Sequence, residues 1–251
     1  MGVLDKAKPL SEVKHGNFWV IYGKSGSGKT HLLSTFPKPL LYVQIGDDGT
    51  NTIDETDEGI RVLEISSLSS MDTLCKELEN DDFYATVAVD TFSLMVNEWI
   101  DAEAVQKNKR VTQQMWGDLK TDTEKYIRKF QKLSKDRIVV LTCHEVSDAF
   151  EGMEDEIMPD IRPSVSKGAR TYLEGMANYG IHCTVIQKDQ DQEDGTVKTV
   201  DAHAVHLGSN PYYWVKTQKP ASVKLPSLVI NPTYRKIMKL IKGGKPNGKK
   251  N

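Results

Sequence analysis

Residues 23–30 read GKSGSGKT, a glycine-rich stretch that ends in a Lys-Thr pair. The apolar run FWVIY comes directly before it, and the stretch KTHLLSTF, which has a helical pattern, overlaps its end. The pattern G-x-x-x-x-G-K-[ST] between a strand and a helix is typical of a loop whose backbone N–H groups surround phosphate oxygens. The sequence therefore predicts a strand, a phosphate-binding turn and a helix here. The alternative is a chance glycine-rich loop.

Each part of this loop has its own expected role. Lys29 would reach the β- and γ-phosphates, and the Thr30 hydroxyl would bind Mg²⁺. The glycines let the backbone curl toward the phosphates. We therefore predict a site for ATP or ADP with Mg²⁺. Its nucleotide-binding residues are Gly23, Lys24, Ser25, Gly26, Ser27, Gly28, Lys29, Thr30 and His31.

Apolar runs and helical patterns alternate along the chain after this loop. The helical pattern of residues 69–80 would be capped by Ser69 or Ser70. The long region 92–134 is helical, with apolar residues on one face of its second half. The strand-like runs are residues 18–23, 40–45, 60–65, 85–91 and 137–144. Nearly continuous apolar strands separated by helices predict an α/β fold, with a mostly parallel twisted sheet and helices on both faces.

The C-terminal part of the chain has a different pattern. Two strand-like runs surround a polar turn, which predicts a β-hairpin over about residues 179–207. Pro232 would lie in the first turn of a last helix. We divide the chain into an N-terminal extension, a P-loop core that includes the hairpin, and a disordered basic tail. These are residues 1–16, 17–242 and 243–251.

An acidic residue lies at the end of the apolar part of the fourth strand-like run. Asp90 closes the sequence ATVAVD, where the C-terminal edge of a buried strand would lie beside the phosphate loop. A carboxylate in that place would hold Mg²⁺ together with Thr30. The alternative is an aspartate that caps the next helix. Because the phosphate loop is present, we favour the metal role.

Two further positions are candidates for the chemistry of hydrolysis. Asp48 follows the second strand-like run and would polarise a water for attack on the γ-phosphate; an Asp-Gly turn is the alternative. Thr142 and His144 end the fifth run, where either would sense the γ-phosphate by hydrogen bonding. A purely structural histidine is the alternative for His144.

Composition bounds the class of protein. The formal net charge of −2 argues against a surface covered with nucleic-acid-binding charge, but it allows a local basic groove. Three widely spaced cysteines predict reduced thiols, and the absence of a long apolar run predicts no membrane span, so we expect a cytoplasmic protein. A zinc site from the cysteines and histidines near residues 143 and 183 is not expected, since neighbouring strand residues face opposite sides.

The ordered set WVIYGKSGSGKTHLLSTFPKPLLYVQIGDDGT, VAVDTFS, VVLTCHE and YYWVKTQKP resembles the phage-encoded RecA-core P-loop ATPases, also called phage nucleotide-binding or AAA-type ATPases. Some of these act in single-strand DNA annealing and recombination. The resemblance spans residues 17–220. It implies that the strand carrying the sensor residue lies between the phosphate-loop strand and the Mg²⁺-acid strand. It also implies that Asp48 stands at the place of the catalytic base, usually a glutamate, and that His144 is the sensor.

The same resemblance implies a ring or filament of this chain with nucleotide at the subunit interfaces, together with DNA-facing loops after the fourth and fifth strands. Lys216 and Lys219 are the candidates for acting on the neighbouring subunit's nucleotide, although Gln218 departs from the usual basic pair. The candidate DNA contacts are Lys107, Lys109, Arg110, Arg162, Lys167 and Arg170. A solvated helix end is the alternative for the first three.

Three functions follow from these observations. The leading one is an ATPase of phage DNA recombination or replication that uses nucleotide to control oligomer contacts and single-stranded DNA binding; a phage single-strand-binding or replication protein is a further candidate partner. The second is a nucleotide-gated scaffold without turnover, suggested by aspartate in place of glutamate at residue 48. The third is a small-molecule kinase, in which the Mg²⁺-acid strand would neighbour the phosphate-loop strand.

Overall fold

The computed structural model describes residues 2–13, 15–46, 49–100, 102–103, 113–151, 157–191 and 196–244. The strands in this part of the chain are β1 (Phe18–Tyr22), β2 (Leu40–Gln44), β3 (Ile60–Glu64), β4 (Thr86–Asp90), β5 (Ile138–Cys143), β6 (Glu145–Glu151), β7 (Ile157–Pro163), β8 (Tyr179–Asp191), β9 (Val197–His206), β10 (Lys216–Thr217) and β11 (Leu228–Ile230). The helices are α1 (Lys29–Ser34), α2 (Leu68–Leu78), α3 (Phe92–Leu94, continued by a π-helical segment, Met95–Ile100), α4 (Gln113–Leu133), α5 (Lys167–Met176) and α6 (Tyr234–Ile241).

One large sheet organises these elements, with the strand order β11-β9-β8-β1-β5-β4-β2-β3. Neighbouring strands are parallel along the stretch β8-β1-β5-β4-β2-β3. Strands β9 and β10 pair with β8, and β11 pairs with β9, in antiparallel fashion. Strand β5 therefore lies between the phosphate-loop strand β1 and the strand β4 that ends in Asp90, as the resemblance implies. The kinase arrangement, with β1 and β4 adjacent, is contradicted by this order.

The sheet is covered on both faces, as predicted. The side chains of β1 alternate between the faces: Phe18 and Val20 pack in one apolar cluster, and Trp19 and Ile21 pack in the other. Helices α2, α4 and α5 contribute buried residues to the first cluster, and α1 and α6 contribute to the second. Because every residue of β1, β4 and β5 is buried, these strands read as continuous apolar runs in the sequence.

Two helix starts differ from the prediction. Helix α2 is capped by Ser67, whose side chain accepts a hydrogen bond from the Ser70 backbone N–H, and neither Ser69 nor Ser70 caps it. Helix α6 is capped by Thr233, so Pro232 precedes the cap instead of lying in the first turn. In both cases the side-chain oxygen that reaches the free N–H groups decides the boundary. The apolar face predicted for the second half of region 92–134 is present in α4.

Two hairpins follow the fifth strand. The predicted C-terminal hairpin is present, formed by β8 and β9. The other, formed by β6 and β7, lies in the segment that the sequence suggested as a DNA-facing loop. Acidic residues and prolines interrupt the apolar pattern of that segment, so its pairing is not visible in the sequence. In the described part of the chain, none of the helices is long and apolar enough to cross a bilayer.

Candidate functional site

The phosphate loop lies between β1 and α1, and two of its glycines are required by their surroundings. Gly23 has a φ of 154°, and a Cβ there would collide with the carbonyl oxygen of Cys183 on β8. Gly28 has a φ of 88° and precedes the first residue of α1. A Cβ on Gly28 would lie 2.8 Å from Nδ1 of His203, on β9. The loop is therefore held closely by two strands of the C-terminal hairpin.

The lysine of the loop is buried and bound to the loop itself. Lys29 is 7% exposed, and its Nζ donates hydrogen bonds to the carbonyl oxygens of Gly23 at 3.0 Å and Lys24 at 2.9 Å. Burial lowers the pKa of Lys29, and the charge of Asp90 acts in the opposite direction. The positive charge is thus held at the base of the loop, close to a carboxylate.

Asp90 accepts hydrogen bonds from three hydroxyl groups. Thr30 Oγ1 and Tyr42 OH both donate to its Oδ2, at 2.8 and 2.6 Å, and Thr142 Oγ1 donates to its Oδ1. These residues come from α1, β2 and β5, and they meet because the C-terminal ends of parallel strands share one edge of the sheet. The structure therefore brings Thr30 and Asp90 together, as the sequence suggested.

A cleft of about 470 Å³ opens beside this cluster. It is lined by Ser25, Gly26, Gly28, Lys29, Thr30, His31, Gly49, Thr52, Asp90, Thr91, His144 and His203. His144 lies in this lining, and its backbone N–H donates to Ser93 Oγ at 3.0 Å. Thr142, the other sensor candidate, is fully buried and bonded to Asp90 instead.

Asp48 lies outside the described residues, but the residue that follows it borders the cluster. A Cβ added to Gly49 would lie 3.1 Å from Thr30 Oγ1 and 3.4 Å from Asp90 Oδ2. The segment after β2 therefore reaches the Thr30–Asp90 pair. The role of Asp48 as catalytic base stays a prediction.

The candidate residues for action on a neighbouring subunit lie away from the cleft. Lys216 Nζ donates to the carbonyl oxygens of Glu174 at 2.9 Å and Gly175 at 2.7 Å, near the end of α5. Lys219 Nζ donates to the Val223 carbonyl oxygen at 2.5 Å. Both amines are bound within the chain, and a role toward another subunit stays a prediction.

The candidate DNA contacts fall into three groups. Lys107, Lys109 and Arg110 lie outside the described residues. Arg162 forms ion pairs with Asp160 and Glu174, and Arg170 forms one with Asp148, so carboxylates of the same chain already neutralise these two guanidinium groups. Lys167 is exposed at the first residue of α5.

A second, smaller cavity of about 280 Å³ lies on the other side of the phosphate loop, between residues 24–27 and the start of β6. His182, only 3% exposed, is hydrogen-bonded through Nε2 to Glu145 Oε2 at 2.8 Å. Burial lowers the pKa of His182, and Glu145 acts in the opposite direction. Ser27 Oγ and His182 Nδ1 are buried and have no hydrogen-bond partner among the described residues.

Sequence reasoning missed five residues of the site: Tyr42, which donates to Asp90, and Gly49, Thr52, Thr91 and His203, which line the cleft. Tyr42 has a weak signal, a hydroxyl inside the apolar run LLYVQI, because a buried phenol needs a partner. Gly49 belongs to an Asp-Gly pair, which is common in turns and therefore gives no sign of a role in the site. His203 has no local signal, since only the pairing of β8 with β9 brings it to the loop.

Comparisons with known proteins give a family match and, among other solved structures, a distant structural likeness. Among curated proteins, no relative matches this chain. Among solved structures, the P4 protein from bacteriophage phi6, in complex with ADP, matches with 16% identity over 80% of this chain and 68% of that one, at a TM-score of 0.34. A likeness of this size bears on neither the ligands nor the partners of this chain.

The family match is more informative. The sequence profile of the AAA domain family matches residues 15–212, which is most of the chain. This stretch contains the phosphate loop, Asp90 and its three hydroxyl donors, His144 and His203. The chain belongs to the AAA domain family.

Proposed function

We propose that this protein binds ATP with Mg²⁺ and hydrolyses it. The observation that carries the proposal is the 2.8 Å contact between Thr30 Oγ1 and Asp90 Oδ2, directly beside the phosphate loop. A hydroxyl at the start of the loop helix and an acid at the end of a neighbouring strand are the two protein ligands that P-loop ATPases use for magnesium. Their meeting requires both the loop and the sheet order to be formed.

The phosphate-binding part of the proposal rests on Lys29 and the loop backbone. An ammonium group has three N–H donors, and Lys29 uses two of them on the carbonyl oxygens of Gly23 and Lys24. These two bonds fix the amine at the base of the cleft, where its remaining N–H would meet a phosphate oxygen. The positive φ angles of Gly26 and Gly28 would turn backbone N–H groups of the loop toward the same place.

The donor set also fits magnesium, which prefers oxygen ligands and one or two carboxylates. Thr30 and Asp90 would hold the ion, and Tyr42 and Thr142 would keep the Asp90 carboxylate in position by their hydrogen bonds. Bound there, the ion would neutralise negative charge on the phosphates. The hydroxyl of Thr30 can turn its proton away from Asp90, which leaves Thr30 Oγ1 and a lone pair of Asp90 Oδ2 for a cation, while Tyr42 OH still donates to Oδ2.

For the attack of water, we propose Asp48 as the base and His144 as the sensor. Two observations support these roles: Gly49, next to Asp48 in sequence, borders Thr30 and Asp90, and His144 lines the same cleft. Asp48 would accept a proton from the water while His144 donates a hydrogen bond to the γ-phosphate.

We further propose a RecA-type assembly in which nucleotide controls contacts between copies of this chain and its affinity for single-stranded DNA in phage recombination or replication. The position of β5 between β1 and β4 supports the RecA-type core. Support for the DNA part is the sequence resemblance together with the exposed Lys167. Each lysine or arginine that contacts a phosphate would make the affinity for DNA fall as the salt concentration rises.

A second candidate function is a nucleotide-gated scaffold that binds ATP and does not turn it over. One observation favours it: among the described residues that line the cleft, Asp90 is the single carboxylate. That carboxylate already accepts hydrogen bonds from three hydroxyl groups. If Asp48 is not positioned as a base, the cleft would hold nucleotide without activating water.

The decisive experiment measures ATP affinity and the rate of phosphate release, with and without single-stranded DNA, alongside the mass in solution with nucleotide present. Lys29→Ala should abolish both ATP binding and turnover. Lys198→Ala, an exposed lysine on β9 outside the cleft lining, is the control and should match the unmodified protein. Hydrolysis that survives Lys29→Ala would reject the proposal. Tight ATP binding with negligible turnover under both conditions would select the scaffold.

A further inference from the structure

Two histidine rings line the cleft beside the phosphate loop. His31 directly follows Thr30 on α1, and His203 comes from β9; both are exposed, and both line the cleft of about 470 Å³. Their ring centroids are 6.4 Å apart, and their planes are inclined by only 29°. Two nearly parallel aromatic faces therefore border the same opening.

The spacing between these rings is wider than that of rings in contact. Stacked pairs elsewhere in the molecule, His182 with Tyr213 and His206 with Tyr213, have centroids 4.1 and 4.3 Å apart. Contacting carbon atoms lie about 3.5–4.0 Å apart, so a flat ring inserted between two others needs roughly 7 Å between them. The His31 and His203 centroids are 6.4 Å apart, and this distance is the upper limit of the spacing between the two ring faces. The rings must therefore move apart to admit a base, and rotation of either exposed side chain would provide that movement.

The position of His203 is determined by backbone hydrogen bonding. Its backbone is paired with Val185 of β8, and its carbonyl oxygen accepts a hydrogen bond from the Asn231 N–H at 2.7 Å. The ring lies against Gly28, where a Cβ would approach Nδ1 to 2.8 Å. The C-terminal hairpin therefore presents one ring to the phosphate loop, and α1 presents the other.

We infer that His31 and His203 form a slot that stacks the nucleobase of the bound nucleotide. The inference rests on the proposed function, because the phosphates in the loop place the rest of the nucleotide beside these rings. Stacking on an aromatic face suits any base, so the slot would add affinity without selecting strongly between adenine and guanine. It would also make hairpin β8–β9 part of the nucleotide site.

The test compares two magnesium-bound ligands by titration calorimetry: ATP, which has a base, and inorganic tripolyphosphate, which has none. His203→Ala should weaken ATP binding by roughly 5- to 150-fold, the loss expected for one base–aromatic contact, and should leave tripolyphosphate binding unchanged. His31→Ala should act in the same way. His203→Phe keeps a flat ring and should retain ATP affinity to within about threefold.

Controls separate this inference from the proposed function. His15→Ala removes an exposed histidine outside the cleft lining and should change neither affinity. Lys29→Ala should weaken both ligands, and its failure to do so would reject the phosphate site itself. If Lys29→Ala acts as expected but His203→Ala weakens both ligands equally, or neither, the base slot is wrong. Should His203→Ala fail to fold, His31→Ala and His203→Phe still decide the matter.

Discussion

The two sides of the phosphate loop differ in how they satisfy their buried charges and polar groups. On one side, the Asp90 carboxylate accepts hydrogen bonds from three hydroxyls on three different elements. On the other side, His182 has one carboxylate partner, Glu145, and its ring stacks on Tyr213 with centroids 4.1 Å apart. There, Ser27 Oγ and His182 Nδ1 lack hydrogen-bond partners among the described residues.

This difference suggests that the Asp90 side takes part in hydrolysis and that the His182 side stabilises the fold. Hydroxyl protons rotate at little cost, so the Asp90 side can exchange a hydrogen bond for a cation without moving its backbone. On the His182 side, stacked rings hold the side chains in one arrangement, because moving a buried, stacked group costs free energy. We therefore expect changes around Asp90 to alter hydrolysis first and changes around His182 to alter stability first.

Asp90→Asn should have the largest effect. The amide has nearly the same size and still accepts a hydrogen bond, but it removes the negative charge that would hold magnesium. We expect hydrolysis to fall by about 100-fold or more while the thermal midpoint changes little. Asp189→Asn, an exposed acid on β8, is the control and should hydrolyse normally. Normal turnover by Asp90→Asn would contradict the role of the Asp90 side in hydrolysis.

Thr142→Val should come next, because it tests the support of Asp90 itself. The substitution keeps the side-chain shape but leaves Asp90 Oδ1 without its hydroxyl donor, a loss of about 1–3 kcal/mol for a buried group. We expect roughly tenfold slower hydrolysis and a lower thermal midpoint. Thr123→Val is a matched control, since that buried hydroxyl donates to the Leu119 carbonyl oxygen within α4. Equal effects of both variants on turnover would contradict the assignment.

Glu145→Gln tests the other side of the loop. It removes the charge that faces His182 Nε2 but keeps a hydrogen-bonding group there, so the free energy of unfolding should fall by about 1 kcal/mol. ATP affinity and turnover should stay within about twofold. Denaturant unfolding and the phosphate-release assay measure the two quantities. A loss of turnover with ATP affinity intact would make Glu145 part of the chemistry, and the two sides would no longer be distinct.

The sequence revealed the Asp90 side far better than the His182 side, and the reason is physical. Asp90 and Thr30 belong to local patterns, an acid that ends a buried strand and a hydroxyl that ends a glycine-rich loop, and parallel strands bring such ends together. Tyr42 reaches Asp90 because β2 pairs with β4, a pairing that leaves no local trace. His182, Glu145 and His203 depend on two hairpins and their registers, and a register can be read only from the folded chain.

The smallest expected effect is a pH dependence of stability from His182. Burial lowers its pKa in the folded protein, with the charges of Lys24 and Lys29 acting in the same direction and Glu145 opposing them. An unfolded histidine has a pKa of about 6.5, so near and below that pH the unfolded chain binds more protons than the folded one. The free energy of unfolding should therefore fall as the pH drops from about 7.5 to 5.5.

His206, whose pKa burial also lowers, would add to this fall. Denaturant titrations at both pH values, on the unmodified protein and on His182→Gln, isolate the share that belongs to His182. The variant cannot take up that proton in either state, so it should lose less stability on acidification. An equal loss in both proteins would place the titration elsewhere. The stability of the His182 side would then come from packing and would not depend on the protonation state of His182.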